Sequence, residues 1–208
     1  ALKVATYARE WLSSLDIRSG SSKGSEIAVG FPDNSEKAAE RFVAQFVGVK
    51  RKKVVSGALI EMGFINLTRF LGFTLDEIRF TDAGWRFAML PNPIIDGSMK
   101  EWAEYAESGR RFSDEEIKFL LEHFKANVPA EWELISRIAK SIDGGCNRPQ
   151  SLEQDLLVMY GWQKTKMSQM RNGAVSRMEE LCLITREKEG REVTYSLTDL
   201  CRETVLAD

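Results

Sequence analysis

The sequence predicts a mainly α protein with small β-hairpins, an α+β chain in which two similar modules are joined by a helical connector. Three observations carry this. Apolar residues recur at helical spacing along most of the chain, two stretches have the composition of hairpin arms, and one helix–turn–hairpin–Thr-Asp pattern occurs twice. The modules fall at residues 1–92 and 127–208, with residues 93–126 as the connector.

Val4 to Leu15 reads as the first helix, with Tyr7, Ala8, Trp11 and Leu15 on its apolar side. Arg18-Ser-Gly-Ser-Ser-Lys-Gly-Ser25 is a loop by composition, and Ile27-Ala-Val-Gly30 reads as a short strand. Ser35 offers an N-cap, its hydroxyl accepting from a free backbone N–H, for a helix through Phe46 closed by Gly48. The basic run Lys50, Arg51, Lys52 and Lys53, a candidate phosphate contact on DNA or else a solvated charge run, is expected to open the next helix, which buries Val54, Val55, Ala58, Leu59 and Met62 and ends at Gly63. Phe64 to Phe73 and Leu75 to Phe80 read as two short strands. Thr81-Asp82 caps a helix from Ala83 to Leu90, and Pro91-Asn-Pro93 is a break.

In the connector, Met99, Trp102, Ala103 and Ala106 keep helical spacing. Ser113-Asp-Glu-Glu116 is a capping box, in which the two side chains satisfy each other's free backbone donors. The helix it opens carries Ile117, Leu120, Leu121 and Phe124 on one face. Pro129 suits a first helical position, and Ile135, Ile138, Ala139 and Ile142 follow until Asp143-Gly-Gly145 stops the helix. Ser151-Leu-Glu-Gln154 is a second capping box, for a short helix through Met159.

The composition narrows the function classes. Hydrophobic residues make up 43% and charged residues 29%, the balance of an ordinary globular chain rather than a disordered one. No apolar run approaches the ~18 residues that span a bilayer, and Val4 to Leu15 lacks a signal peptide's apolar core. Cys146, Cys182 and Cys201 are too few and too scattered for a metal cage or disulfide framework, which fits a reducing cytoplasm. His123 is the one histidine, and no convergent ligand set surrounds it in the sequence. Neither a metal nor an organic cofactor is expected. Net charge is −2, so any nucleic-acid binding must come from local charge. The charge is indeed segregated. Trp162 to Met178 holds four basic residues and no acid, whereas Asp96 to Glu116 holds seven acids against three bases.

The helix expected over Lys166 to Cys182 is written with Met167, Met170, Ala174, Met178 and Leu181 inward. Its opposite side presents Thr165, Ser168, Gln169, Asn172 and Ser176, with Lys164, Lys166, Arg171 and Arg177 at or near the flanks. Amides in the centre suit base edges and cations at the margins suit phosphates. A solvated helix usually carries Glu–Lys pairs, and the first three turns here have no acid. Two β-prone arms follow, Leu183 to Arg186 and Glu192 to Leu197, around a charged tip turned at Gly190. Thr198 or Asp199 then caps a helix to Leu206.

The stretch SRMEELCLITREKEGREVTYSLTDLCRE resembles the recognition-helix end and wing of bacterial and archaeal winged helix-turn-helix repressors. Their shared pattern runs Leu-x-x-x-Gly-Leu-Ile, a basic hairpin, then Tyr-x-Leu-Thr-x-x-Gly. This chain departs from it at Cys182 and Cys201, where the pattern usually has Gly. The resemblance covers about residues 130–206. It implies a recognition helix in the major groove and a wing on the adjacent backbone. Carried over, those roles fall on Ser168, Gln169, Arg171, Asn172 and Arg177, and on Arg186, Lys188 and Arg191.

A second copy of the pattern is legible upstream. Leu59-Ile-Glu-Met-Gly-Phe-Ile65 aligns with Met178-Glu-Glu-Leu-Cys-Leu-Ile184 at an offset of 119 (178 minus 59). Phe80-Thr-Asp matches Leu197-Thr-Asp at an offset of 117 (197 minus 80). The expected architecture is therefore tandem winged-helix modules, with the two hairpins as the main β structure. The first wing carries Leu67, Phe70, Leu71 and Phe73, which is too apolar to face phosphate. It predicts contact with other protein surface, either in this chain, in a second copy, or in a partner.

Three function classes follow. The first is sequence-dependent binding of double-stranded DNA, as a non-enzymatic transcriptional regulator. The second is a tandem winged-helix scaffold, like the elements that grip kleisin subunits in chromosome-organising complexes, or an accessory domain of a larger DNA-processing enzyme. The third is a nuclease or other enzyme, against which stands the lack of a metal-nuclease carboxylate pattern, phosphate loop or nucleophile elbow.

Overall fold

The computed structural model describes Lys37, Glu40 and residues 49–51, 54–69, 76–92, 96 and 110–207. It is mainly helical, with two-stranded antiparallel sheets. The chain divides into two compact units, Ala1–Leu90 with Gly97–Ala106, and Pro91–Asp96 with Glu107–Asp208. Of the two helices expected in the connector, the one opened by Ser113 belongs to the second unit, and the stretch Met99 to Ala106 lies outside the described residues.

In the first unit Lys37 and Glu40 are helical. Strands β1 (Val49–Arg51) and β2 (Val54–Ser56) then pair antiparallel. This corrects the helix expected from the basic run. β-Branched Val49, Val54 and Val55 favour extended backbone, and Gly57 interrupts any continuation, so the helix shrinks to α1 (Ala58–Glu61). Strands β3 (Ile65–Arg69) and β4 (Asp76–Phe80) form the expected hairpin, in register from Ile65 opposite Phe80 to Arg69 opposite Asp76. Helix α2 (Asp82–Ala88) follows, and Thr81 is its N-cap. Phe64 and Ile65 are buried here, with Phe64 stacked on Phe87 at 5.1 Å between centroids.

The second unit opens with α3 (Asp114–Asn127). Its capping box forms as read, with Ser113 Oγ accepting from Glu116 N at 3.0 Å and Ser113 N donating to Glu116 Oε2 at 2.7 Å. Helix α4 (Pro129–Asp143) starts on its proline and stops at Gly144. Helix α5 (Pro149–Tyr160) begins earlier than the Ser151 box implied. Pro149 takes the first helical position, where a missing N–H costs nothing, and Ser151 Oγ accepts from Arg148 N at 3.3 Å instead. Helix α6 (Lys164–Glu180) leads into the hairpin of β5 (Ile184–Glu189) and β6 (Glu192–Leu197), turned at Gly190 with φ +60°. Thr198 caps a short helix, α7 (Asp199–Cys201), which runs on as a π-helical turn through Leu206.

Apolar faces of α3, α4, α5 and α6 converge in one core. Ile135, Ile138, Leu152, Met167, Met178 and Leu183 are almost completely buried. Tyr195 N donates to Asn147 O at 2.8 Å, which ties β6 to the segment before α5. Among the described residues no helix is long and apolar enough to cross a membrane.

Candidate nucleic-acid interface

Helix α6 is rotated slightly from the expected setting. Its buried residues are Met167, Arg171, Ala174, Val175 and Met178, while Met170, expected inside, is 36% exposed. At 100° per residue this turns the buried arc toward Arg171 and Val175. The outer stripe survives the rotation: Thr165, Gln169, Asn172 and Ser176 are all exposed, and Ser168 is half-buried at its edge.

Arg171 and Arg177, placed at the phosphate-facing flanks by the sequence, do other work in the fold. Arg171 is 8% exposed. Its Nη1 donates to Pro149 O at 2.6 Å and to Glu153 Oε2 at 2.7 Å, which ties α6 to α5. Arg177 meets Glu131 on α4 through Nε (2.6 Å) and Nη2 (2.9 Å), a two-point carboxylate clamp. A buried guanidinium with its donors satisfied has no reason to leave for a phosphate, since that would strand Glu153 in the interior. Both arginines set the position of α6. Glu131 and Glu153 were missed in the sequence, because their partners lie 46 and 18 residues away.

The cations left facing water are Lys164 and Lys166 at the start of α6, and Arg186, Lys188 and Arg191 on the hairpin. Lys166 Nζ sits 4.4 Å from the centre of the Trp162 ring, a contact that holds the charge near the helix N-terminus. The hairpin divides its charge by face. Register places Arg186 across from Tyr195 and Lys188 across from Val193, so these cations share the sheet face that carries the core residues. Glu187 opposite Thr194 and Glu189 opposite Glu192 occupy the other face. Arg148, exposed and not singled out in the sequence, adds a cation just before α5, 3.5 Å from Glu192. Its signal was only its place before Pro149.

In the first unit Lys50 and Arg51 lie in β1, while Lys52 and Lys53 fall outside the described residues. So do Phe70, Leu71 and Phe73 of the apolar hairpin, and Leu67 is described only as part of β3. The described part of that hairpin and of α2 exposes Ile78, Phe80, Trp85 (57%) and Met89 (77%). No group of three or more His, Cys, Asp or Glu that could hold a metal ion occurs among the described residues. His123 stacks on Phe119 at 5.8 Å, and its Nδ1 lies 3.2 Å from Asn127 Nδ2.

No protein-family model, curated protein or solved structure matches this chain.

Proposed function

We propose that the second unit is a winged helix-turn-helix module that binds double-stranded DNA, and that the chain is a transcriptional regulator built from two such modules. Helix α6 enters the major groove, and the cationic face of the β5–β6 hairpin follows the adjacent backbone. The observation that carries this reading is the exposed stripe Thr165, Gln169, Asn172 and Ser176 on α6, with Lys164 and Lys166 exposed on the same helix and Arg186, Lys188 and Arg191 exposed on the hairpin that follows it. Small hydroxyls and amides reach base edges without filling the groove, and flanking cations displace counterions from phosphate. The two internal arginines keep that stripe at a fixed angle on α4 and α5.

The test is fluorescence anisotropy of the full chain on a labelled random duplex between 50 and 200 mM salt. If the five cations each meet a phosphate, the logarithm of affinity falls against the logarithm of salt with a slope of about −4.5. No binding at the lowest salt ends the reading.

A second reading, a tandem winged-helix scaffold or accessory domain, is favoured by the exposed Ile78, Phe80, Trp85 and Met89 of the first unit. It expects self-association or partner binding through that surface. Light scattering of the full chain and of Trp85→Lys separates the two: a wild-type dimer dissociated by Trp85→Lys supports the scaffold.

A further inference from the structure

Arg171 has a second task beside anchoring α6. Its Nε and Nη2 both donate to the side-chain oxygen of Asn172, at 3.3 and 2.8 Å. A guanidinium carries only donors, so the amide atom facing it must be Oδ1; chemistry fixes the orientation. Glu153 Oε2 and Pro149 O hold the other end of the guanidinium, so the arginine is itself immobile. Asn172 is exposed, midway along the outer stripe, with Gln169 and Ser176 as its neighbours there.

The consequence is a side chain whose acceptor is occupied and whose two N–H donors point away from Arg171. An unconstrained asparagine recognises adenine with both ends of its amide: Oδ1 accepts from N6 and Nδ2 donates to N7. That pairing is closed here, because withdrawing Oδ1 would leave two N–H groups of a buried guanidinium without an acceptor. Guanine offers two adjacent major-groove acceptors, N7 and O6, and adenine sets a donor beside its N7. We propose that Asn172 is a donor-only reader that selects guanine over adenine, with Arg171 as the residue that positions it. This deepens the DNA-binding reading and rests on it. Gln169, which makes no side-chain hydrogen bond among the described residues, keeps both ends of its amide and the capacity to pair with adenine.

The experiment is repeated selection of binding sites from a random duplex pool, with the full chain, Asn172→Ala, and the double variant Arg171→Met with Glu153→Gln. The double variant removes donor and carboxylate together, so neither charge is stranded. The wild type should show one pair with guanine dominant, and Asn172→Ala should lose that preference while keeping the others. Replacing that guanine with 7-deazaguanine should lower wild-type affinity about tenfold. In the double variant, adenine should rise to match or exceed guanine at the same pair. The 7-deazaguanine measurement needs no variant, so it decides the matter even if the double variant does not fold. Adenine at that pair in the wild type, lost on removing either its N7 or its 6-amino group, overturns the inference and leaves DNA binding standing. So does an Asn172→Ala pool identical to the wild type. Failure to bind any duplex at low salt removes the DNA reading and this inference with it.

Discussion

Gly63 and Cys182 occupy the same place in two copies of one substructure, and both hold a left-handed backbone, φ +72° and +55°. Each carbonyl accepts a hydrogen bond of 2.7 Å from a threonine hydroxyl, Thr81 onto Gly63 and Thr198 onto Cys182. Around them the bonds repeat atom for atom. Phe64 N reaches Leu59 O and Leu183 N reaches Met178 O, each at 2.8 Å, and Thr81 N to Phe64 O and Thr198 N to Leu183 O are each 3.0 Å. Each threonine hydroxyl also accepts from the N–H three residues on, Gly84 at 3.0 Å and Cys201 at 3.2 Å. One threonine thus closes the helix turn, seats the hairpin's end and caps the next helix.

Left-handed backbone costs a residue with a Cβ about 1 kcal/mol or more, and glycine almost nothing. Gly63→Ala should therefore lower the stability of the first unit by about 1 kcal/mol, while Cys182→Gly should leave the second unchanged or raise it by up to about 1 kcal/mol. Urea unfolding midpoints measure both. A loss of more than 1 kcal/mol in Cys182→Gly would mean that packing of the thiol, not backbone strain, sets that position.

Thr198→Ala removes a donor, a cap and a link in one step. We expect a loss of about 1–2 kcal/mol, with Thr198→Ser recovering most of it. An unchanged midpoint for Thr198→Ala would remove the capping role.

Gly84 and Cys201 also correspond, yet the two units leave different room there. A Cβ at Gly84 would sit 2.0 Å from Phe64 O, whereas Cys201 is seated completely buried. Gly84→Ala must push α2 off the hairpin and should cost about 1–3 kcal/mol. A variant as stable as the wild type would show that α2 moves aside freely.

Two buried groups give the second unit a pH signature. Burial pushes the Cys201 thiol up to about 11. The folded chain keeps this proton where the unfolded chain has lost it, so stability is full below pH ~9 and falls by about 2 kcal/mol as pH climbs toward 11. Cys201→Ala should abolish that fall. Burial likewise raises the Glu116 carboxyl, against the opposing hydrogen bonds from Ser113 and Asn92. Its contribution is complete at acid pH and lost as pH rises through the raised value. Glu116→Gln keeps an acceptor for the same donors and should be at least as stable as the wild type at pH 7. A Gln variant weaker at pH 7 would contradict the sign.

The parts legible in the sequence were those fixed by near neighbours: the Ser113 box, Pro129 and Gly144 at the ends of α4, the β5–β6 turn at Gly190, and the repeated Thr-Asp. The strand pair at Val49–Ser56 is hard to read because four consecutive cations break the alternation that its β-branched residues would otherwise show. The setting of α6 was hidden for another reason. A buried Arg171 counts as polar in the helical periodicity, which therefore sets Met170 inward in its place, and only the distant Glu153 makes that burial tolerable. The outer stripe remained readable because it consists of residues that make few demands on the core.

The central claim, that the outer face of α6 and the cationic face of the hairpin meet DNA while Arg177 serves the fold, has one direct measurement. It is the salt dependence of duplex binding for Lys166→Ala, Arg186→Ala, Lys188→Ala and Arg191→Ala, beside the double variant Arg177→Ala with Glu131→Gln. Each of the first four should weaken binding to all sequences and reduce the salt slope by about one. The double variant, where it stays folded, should leave the slope unchanged. Slopes identical to the wild type in all four single variants would contradict the account.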